Sequence, residues 1–370
     1  MIKTEISVAG LFVGCGGLDY GFKKAGFNLV WANELSKDAA ESYETLIGHK
    51  ALVGDIWDVI GQVPKVDVII GGPPCQSFSL VGKRLEDDPR GKLVFAYQQI
   101  IYKVRPLVFL MENVPGLMAS RLNDEKLHFH LAREYRKYGY DINILKLDAT
   151  DYFVPQRRKR FVMIGSRMKS RKFKIISQAD FLFILKEPFE ERLVTVSEAL
   201  DDLPPVNSIR NMKSTPYLED PHSAYSCLMR KAGKREVTLH DMPTMSRLDK
   251  EFVLHIPPGG NYMDIPDRIA TKRILTFKKT GGRTTTYGRL HPDYPAYTLN
   301  TYFNRPNVGA NYHHKEDRLI TVREALRLQS FPDDFTPKYN SQRSLYMQVG
   351  NAVPPLMSYA LAESIKRVFR

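Results

Sequence analysis

Over roughly its first 170 residues the chain alternates short apolar runs with amphipathic stretches. The runs are Glu5 to Val13, Asn28 to Ala32, one ending near Val53, Val66 to Ile70, Leu107 to Met111, Asp141 to Leu147 and Phe161 to Ile164. Short runs of this kind predict strands buried in a sheet. Between them, about Leu18 to Ala25, Gly91 to Val104 and Pro115 to Tyr138 are expected as helices, the last with Glu125, Lys126 and Arg133 on polar faces. Strand and helix in alternation predict an α/β, doubly wound sheet. Helical spacing returns at Arg318 to Leu328, with Val322, Ala325 and Leu326 on one side. It returns again in a helix opened by Gln348 to Pro355, whose Met357, Leu361, Ile365 and Val368 require a core.

The pattern loosens in between. Leu203 to Pro216 is rich in Pro, Asn and Ser and reads as a boundary. Beyond it the chain is irregular, with loop signals at Pro257 to Asn261 and Thr280 to Thr285. Charge changes the picture here. The 370 residues carry 54 Lys and Arg against 41 Asp and Glu, a net +13. Residues 1–150 are balanced at 18 of each sign, whereas residues 205–330 carry 20 basic and 12 acidic side chains. Basic residues interleaved with tyrosines suit a polyanion, so a neutral unit is joined to one composed for nucleic acid. No apolar run is long enough to span a membrane and no leader pattern is seen at the start. The three cysteines, Cys15, Cys75 and Cys227, form neither a disulfide framework nor a CxxC metal pair, which fits a reducing cytoplasm.

Candidate chemistry gathers where predicted strands end. Phe12 to Leu18 is a glycine turn between strand and helix, the layout that brings backbone N–H groups to a cofactor. Glu34 ends the second strand about 20 residues later, where a carboxylate meets ribose hydroxyls in nucleotide folds, and Asp55 follows the third. After the fourth comes Gly71-Gly72-Pro73-Pro74-Cys75-Gln76-Ser77-Phe78-Ser79. Gly72 and the two prolines constrain the loop and hold the Cys75 thiol in one place, as a nucleophile or as a small buried hydrophobe. Glu112 ends the fifth strand, and an apolar cleft there would raise its pKa and make it a proton donor. In Arg157-Arg158-Lys159-Arg160, strand alternation turns one pair inward.

Six stretches in order, FVGCGG (12–17), GGPPCQSFS (71–79), MENVPG (111–116), QRRKR (156–160), RLITVREALRLQSFPDDF (318–335) and QVGNAVPP (348–355), resemble the DNA (cytosine-5) methyltransferases. They frame nearly the whole chain and leave only about 170–290 outside. The resemblance implies a doubly wound, Rossmann-like domain binding S-adenosyl-L-methionine, at residues 1–190 plus 335–370. A smaller, irregular target recognition domain and hinge would span 191–334. Cys75 would attack carbon 6 of cytosine, Glu112 would protonate ring nitrogen 3, Arg158 would hold the base carbonyl, and Arg160 would support Glu112 and the loop. Phe12, Gly14, Gly16, Gly17, Leu18, Glu34, Leu35, Asp55, Ile56, Pro74, Leu93, Asn351 and Ala352 would line the cofactor pocket. Leu35 stands where the family often has an aromatic residue on adenine.

Double-stranded DNA is the implied partner. Gln76, Ser79, Lys83, Arg84 and Arg90 would contact it from the loop after Cys75, and Thr298, Arg283, Arg289, Asn300 and Arg305 from the recognition domain. The resemblance further implies S-adenosyl-L-homocysteine as product, no metal, a monomer, pairing with a restriction endonuclease, and a place near the nucleoid in a prokaryotic cytoplasm. A tRNA-methylating branch of the family carries a CFT signature in its recognition region, and none is found here.

Overall fold

The computed structural model describes residues 5–74, 92–122, 124–168, 172–186, 188–206 and 214–370. It divides into two compact units: residues 1–148, 159–177 and 355–370, and residues 149–158 and 178–354. The sequence placed its boundaries instead at 190/191 and 334/335.

The first unit is built on a seven-stranded sheet. Its strands are β1 (Ser7–Leu11), β2 (Asn28–Glu34), β3 (Leu52–Val53), β4 (Val68–Gly71), β5 (Val108–Asn113), β6 (Asp141–Asp148) and β7 (Lys159–Ser166), in the order β3-β2-β1-β4-β5-β7-β6. Neighbours from β3 to β5 pair parallel; β7 runs antiparallel to both β5 and β6. β4 and β5 are buried throughout because helices cover both faces, which explains their unbroken apolar sequences. Helices α1 (Gly17–Lys24), α2 (Lys37–Ile47), α3 (Lys92–Val104) and α4 (Leu127–Lys137) follow strands or turns of the sheet. The core joins Ile69, Tyr97, Phe109, Met111, Leu131 and Met163, and the Tyr97 hydroxyl donates to the Leu110 carbonyl at 2.8 Å.

The expected helix from Pro115 to Tyr138 is interrupted. Pro115–Ala119 forms one 3-10 turn, Arg121–Leu122 pairs with Glu125–Lys126, and only Leu127–Lys137 is α-helical. The Ser120 hydroxyl returns to the Gly116 carbonyl, and the Leu127 N–H closes onto the Ser120 carbonyl. Those bonds engage backbone groups that a continuous helix would pair along its axis.

The second unit holds short strand pairs and helices, including α5 (Val322–Leu328) and α6 (Gln342–Asn351). The terminal helix α7 (Pro355–Phe369) belongs to the first unit. The sequence reading opened the terminal helix with Gln348 to Pro355; in the structure Gln348 to Asn351 end α6 instead, and α7 starts at Pro355, where a missing N–H is tolerated at the first helical position. α7 packs on α1 so closely that a Cβ at Gly21 would lie 2.3 Å from the Tyr359 nitrogen.

A buried polar network organises the second unit around α5. Arg318 donates twice to the Glu324 carboxylate, at 2.9 and 2.8 Å. Burial alone would raise the Glu324 pKa, but Arg318 holds that carboxyl well below the usual range. His313 Nδ1 accepts the N–H groups of Lys315 and Glu316, so its proton sits on Nε2, 3.6 Å from Glu324 Oε1. Burial pushes the His313 imidazole down to about 3, against about 6.5 in an unfolded chain. The unfolded chain therefore takes up this proton first. The His313 contribution is complete above about pH 6.5 and is lost as pH falls toward 3, by on the order of 1.4 kcal/mol per pH unit. Urea unfolding between pH 7.5 and 4.5 should show falling stability, with a visibly shallower fall in His313→Asn. Parallel curves would show that His313 does not govern the acid response.

Candidate active site

Because β1 to β5 run parallel, their carboxyl ends share one edge of the sheet, where α/β folds place ligands. Phe12 follows β1 at φ 55°, a left-handed conformation uncommon for a bulky residue and characteristic of functional sites. Gly14, Gly16, Gly17 and Leu18 turn the chain into α1. The Gly14 N–H donates to Glu34 Oε2 at 2.8 Å and the Ser36 N–H to Oε1 at 2.9 Å. Burial nevertheless raises the Glu34 pKa above the ordinary value. A Cβ at Gly14 would meet nothing within 4 Å, so this turn faces open space. Leu35 beside it is 68% exposed. Asp55 caps a short helix through the Trp57 N–H, Ile56 is buried, Pro74 is exposed, and Leu93 packs partly on the core. Two residues here escaped the sequence reading. Asn33 is buried and bonds the Leu52 and Gly54 carbonyls, and Asp19 lies across Gly10, accepting the Tyr43 hydroxyl.

Burial pushes the Cys15 thiol up to about 12, with the Glu34 charge adding to the rise, so it stays protonated at neutral pH. Cys75, Gln76, Ser79, Lys83, Arg84 and Arg90 lie outside the described residues.

The residues leading into Cys75 are described. At the end of β5, Glu112 Oε1 meets Arg160 Nε at 2.7 Å, and both side chains are about one-tenth exposed or less. β7 pairs antiparallel with β5, which brings the basic segment back to this edge. A Cβ at Gly72 would lie 2.8 Å from Glu112 Oε2, so a side chain at this position would push against the carboxylate. Asn113 Nδ2 donates to the Pro73 carbonyl at 2.9 Å, fixing the backbone two residues before Cys75. Neither Gly72's packing role nor Asn113 was legible, although both lie inside quoted motifs.

Arg158 and Arg160 are buried while Arg157 and Lys159 are exposed, the expected alternation. The two buried arginines do different things. In the second unit, Arg158 Nη1 donates to Gln156 Oε1 and the Leu299 carbonyl, and Nη2 to the Gly350 and Ala352 carbonyls, at 2.7 to 3.4 Å. Both terminal nitrogens are therefore committed to the protein's own acceptors. Asn351 is exposed and Ala352 buried.

Among the expected DNA contacts, Arg283, Thr298 and Arg305 are exposed, with Arg305 lying 5.0 Å from the Tyr302 ring centroid. The Thr298 hydroxyl donates to the Arg157 carbonyl at 2.6 Å. Asn300 folds its own loop, accepting from the Tyr302 N–H and donating to the Val308 carbonyl. Arg289 is interior: it is 8% exposed, donates to the His313 and Ile256 carbonyls and pairs with Asp317 at 3.0 Å. An arginine in a loop-rich basic segment looks like a base reader in sequence, and only burial shows this one bracing the unit. Among the described residues no group of three His, Cys, Asp or Glu is placed to hold a metal ion, and no helix is long and apolar enough to cross a membrane.

These features can be set beside known proteins. The profile of the C-5 cytosine-specific DNA methylases matches residues 6–367. The Type II methyltransferase M.MthTI of Methanothermobacter thermautotrophicus is 33% identical over 371 residues, covering 98% of both chains. M.DdeI of Desulfomicrobium norvegicum is 31% identical over 386 residues, covering 98% of this chain and 89% of that protein. Of solved structures, an E. coli prophage protein described as a DNA modification methyltransferase matches with TM-score 0.73 at 25% identity, over 98% of this chain and 99% of that one. The S. pombe Dnmt2 methyltransferase shares the fold, with TM-score 0.62 at 17% identity over 98% and 99%. With a match that runs almost end to end and relatives above 30% identity, the chain belongs to the C-5 cytosine-specific DNA methylases and is a DNA cytosine-5 methyltransferase.

Proposed function

We propose that this enzyme methylates carbon 5 of cytosine within one short sequence of double-stranded DNA, using S-adenosyl-L-methionine, and protects host DNA beside a restriction endonuclease. The observation that carries the reading is the buried Glu112–Arg160 pair at the end of β5, next to the backbone leading into Cys75.

The residues at the sheet edge fit the cofactor. Glu34, held by two N–H groups, offers its remaining lone pairs to ribose hydroxyls, the turn at Gly14 leaves room, and exposed Leu35 gives an adenine ring an apolar face. When bound, S-adenosyl-L-methionine supplies an electrophilic methyl group. The protein's part is to make carbon 5 nucleophilic. The Cys75 thiolate adds to carbon 6, and the electron pair displaced from the 5,6 double bond runs into the ring toward nitrogen 3 and the carbonyl. Glu112 gives a proton to nitrogen 3, and Arg160, the arginine at its side, holds the carbonyl. Arg158, its terminal nitrogens already committed, is left out of base contact, so the role first given to Arg158 passes to Arg160. After methylation a water molecule accepts the carbon 5 proton, the electron pair of that C–H bond restores the 5,6 double bond, the carbon 6–sulfur bond breaks to return Cys75 as thiolate, and nitrogen 3 gives its proton back to Glu112. The base must leave the duplex to reach these groups, at a cost of a few kcal/mol offset by phosphate contacts.

Whole-plasmid bisulfite sequencing after expression in a methylation-free bacterial host tests this. The expected result is complete protection of one cytosine in one short sequence. Unprotected plasmid from cells holding soluble, cofactor-binding protein would overturn the DNA assignment.

A further inference from the structure

Between Asp267 and Asp293 the chain carries seven Lys and Arg and no Asp or Glu. Two of the seven serve the fold. Lys278 pairs with Asp267 at 2.7 Å and donates to the Ile265 carbonyl, and Arg289 pairs with Asp317. The other five, Arg268, Lys272, Arg273, Lys279 and Arg283, are exposed, and among the described residues none of them forms an ion pair with a carboxylate. We propose that Lys272, Arg273 and Lys279 form a face that grips the phosphates of duplex DNA beside the recognition sequence without reading bases, so that the enzyme draws binding energy from DNA outside its site. The inference rests on the functional reading above.

Helical spacing builds the face. In the helix Lys272–Thr280, positions 272, 273, 276, 279 and 280 are exposed and fall within one arc of the surface. Ile274 is buried on the opposite side, in a core with Phe252, Ile265 and Tyr312, and Phe277 packs against that core. Thr271 caps the helix by accepting the Ile274 N–H. At the other end Gly281 takes φ 79°, and the Gly282 N–H donates to the Tyr262 hydroxyl at 2.8 Å, which fixes the turn that carries Arg283. The turn is fastened onward. The Thr286 N–H closes on the Arg283 carbonyl, and the Tyr287 N–H donates to the Pro306 carbonyl, next in the chain to exposed Arg305. Tyr287 holds φ 51° there, a conformation that a bulky residue keeps only when its surroundings impose it. The helix is thus tied to the turn and loop that carry the expected DNA contacts Arg283 and Arg305. Unpaired charges of one sign repel each other. In α4, by contrast, Arg133 pairs with Glu125 at 2.6 Å and Lys137 with Glu134 at 2.7 Å. A face left uncompensated complements a polyanion. Its groups suit phosphates rather than bases. The exposed positions hold only Lys, Arg and Thr, and Thr276 and Thr280 give their hydroxyls to the carbonyls of Lys272 and Thr276 in their own helix. Lysine meets an anion as a point charge, and Arg273 is held over the Phe277 ring, 5.1 Å from its centroid. Lys272 and Lys279 stand about 10 Å apart along the helix, a rise over which one DNA strand carries about three phosphates.

The test is filter binding of labelled plasmid fragments from a methylation-free host across a range of salt, with the double variant Lys272→Ala, Lys279→Ala. Alanine preserves the helix, and circular dichroism and melting establish folding. The slope of log affinity against log salt should become shallower by about 1.8, the share of two phosphates. Bisulfite sequencing should show the same cytosine methylated in the same sequence. Arg136→Ala with Lys137→Ala removes equal charge from α4 and should leave the slope unchanged. An unchanged slope in the folded helix variant overturns the proposal. An equal fall in the α4 control also overturns it, because the effect is then one of net charge. A change in the methylated sequence would show that the face reads bases, and overturns it too. Tighter and more salt-dependent binding of wild-type protein to transfer RNA than to duplex DNA would assign the face to RNA and overturn it. If the helix variant does not fold, Lys279→Gln decides by the same criteria, with an expected fall of about 0.9. Plasmid that wild-type protein neither binds nor methylates would instead overturn the functional reading, and this inference with it.

Discussion

Cys75→Ser is expected to abolish methyl transfer, by more than about 10⁴-fold, the scale on which loss of a nucleophile acts. Glu112→Gln is expected to slow the reaction by about 10² to 10⁴, the usual contribution of a general acid. The difference follows from what each group does. A serine hydroxyl ionises far less readily than a thiol, so the adduct at carbon 6 does not form. Glutamine keeps the shape of Glu112 and can still accept from Arg160 Nε on its amide oxygen. It can donate a hydrogen bond to nitrogen 3 but cannot transfer a proton, so ring charge is only partly offset during addition.

Single-turnover transfer of labelled methyl groups to plasmid DNA measures both rates. Duplex carrying 5-fluorocytosine at the target separates the roles. Fluorine cannot leave as a cation, so the adduct cannot eliminate and survives denaturing electrophoresis. Wild-type enzyme should trap quickly, Glu112→Gln slowly and Cys75→Ser not at all. Trapping by Cys75→Ser would place the nucleophile elsewhere, and Cys15 is a poor substitute because its buried thiol stays protonated. A Glu112→Gln loss below tenfold would reduce Glu112 to a hydrogen-bonding role.

How much of this was legible in the sequence follows from the range of each interaction. The sheet was readable because doubly covered strands such as β5 are apolar on both sides up to their polar ends, here Val108 to Met111, and chain order fixed their carboxyl ends. The alternation of Arg157 to Arg160 was readable because it is a local backbone property. The break between Ser120 and Leu127 was not, because it depends on two backbone groups finding each other across a turn. In the second unit, strands such as Gly288–Arg289 and Glu236–Val237 are two residues long, too short to show a period. Arginines were the hardest residues to place. Arg158, Arg160, Arg289, Arg323 and Arg327 are all buried, yet in the sequence they look like Arg283 and Arg305, which are exposed. What distinguishes them is acceptors contributed by residues as far as 194 positions away, as for Arg158 and Ala352.

Arg327 should carry the largest stability effect among these buried arginines. Its guanidinium meets Asp202 with two nitrogens, at 2.6 and 3.0 Å, and Asp333 with two, at 2.7 and 2.6 Å, and it also donates to the Ala199 carbonyl. All three side chains are fully buried. Arg327→Met leaves two carboxylates in the interior with no cation between them, and breaking such a pair costs about 3 to 5 kcal/mol. For a unit of this size that corresponds to a melting point lower by roughly 6 to 20 °C. Arg327→Lys should fall short of rescue, because one ammonium cannot meet two carboxylates in fork geometry. The decisive comparison is the triple variant Asp202→Asn, Asp333→Asn, Arg327→Met. If uncompensated charge is the cause, removing all three charges should recover a large part of the loss; if lost packing is the cause, the triple variant should be as unstable as Arg327→Met or worse. A loss below about 1 kcal/mol in Arg327→Met would mean that water reaches the site. The consequence reaches residues 296–299, because α5 also supplies the Leu328 carbonyl that anchors Gln156, and Gln156 in turn holds Leu299.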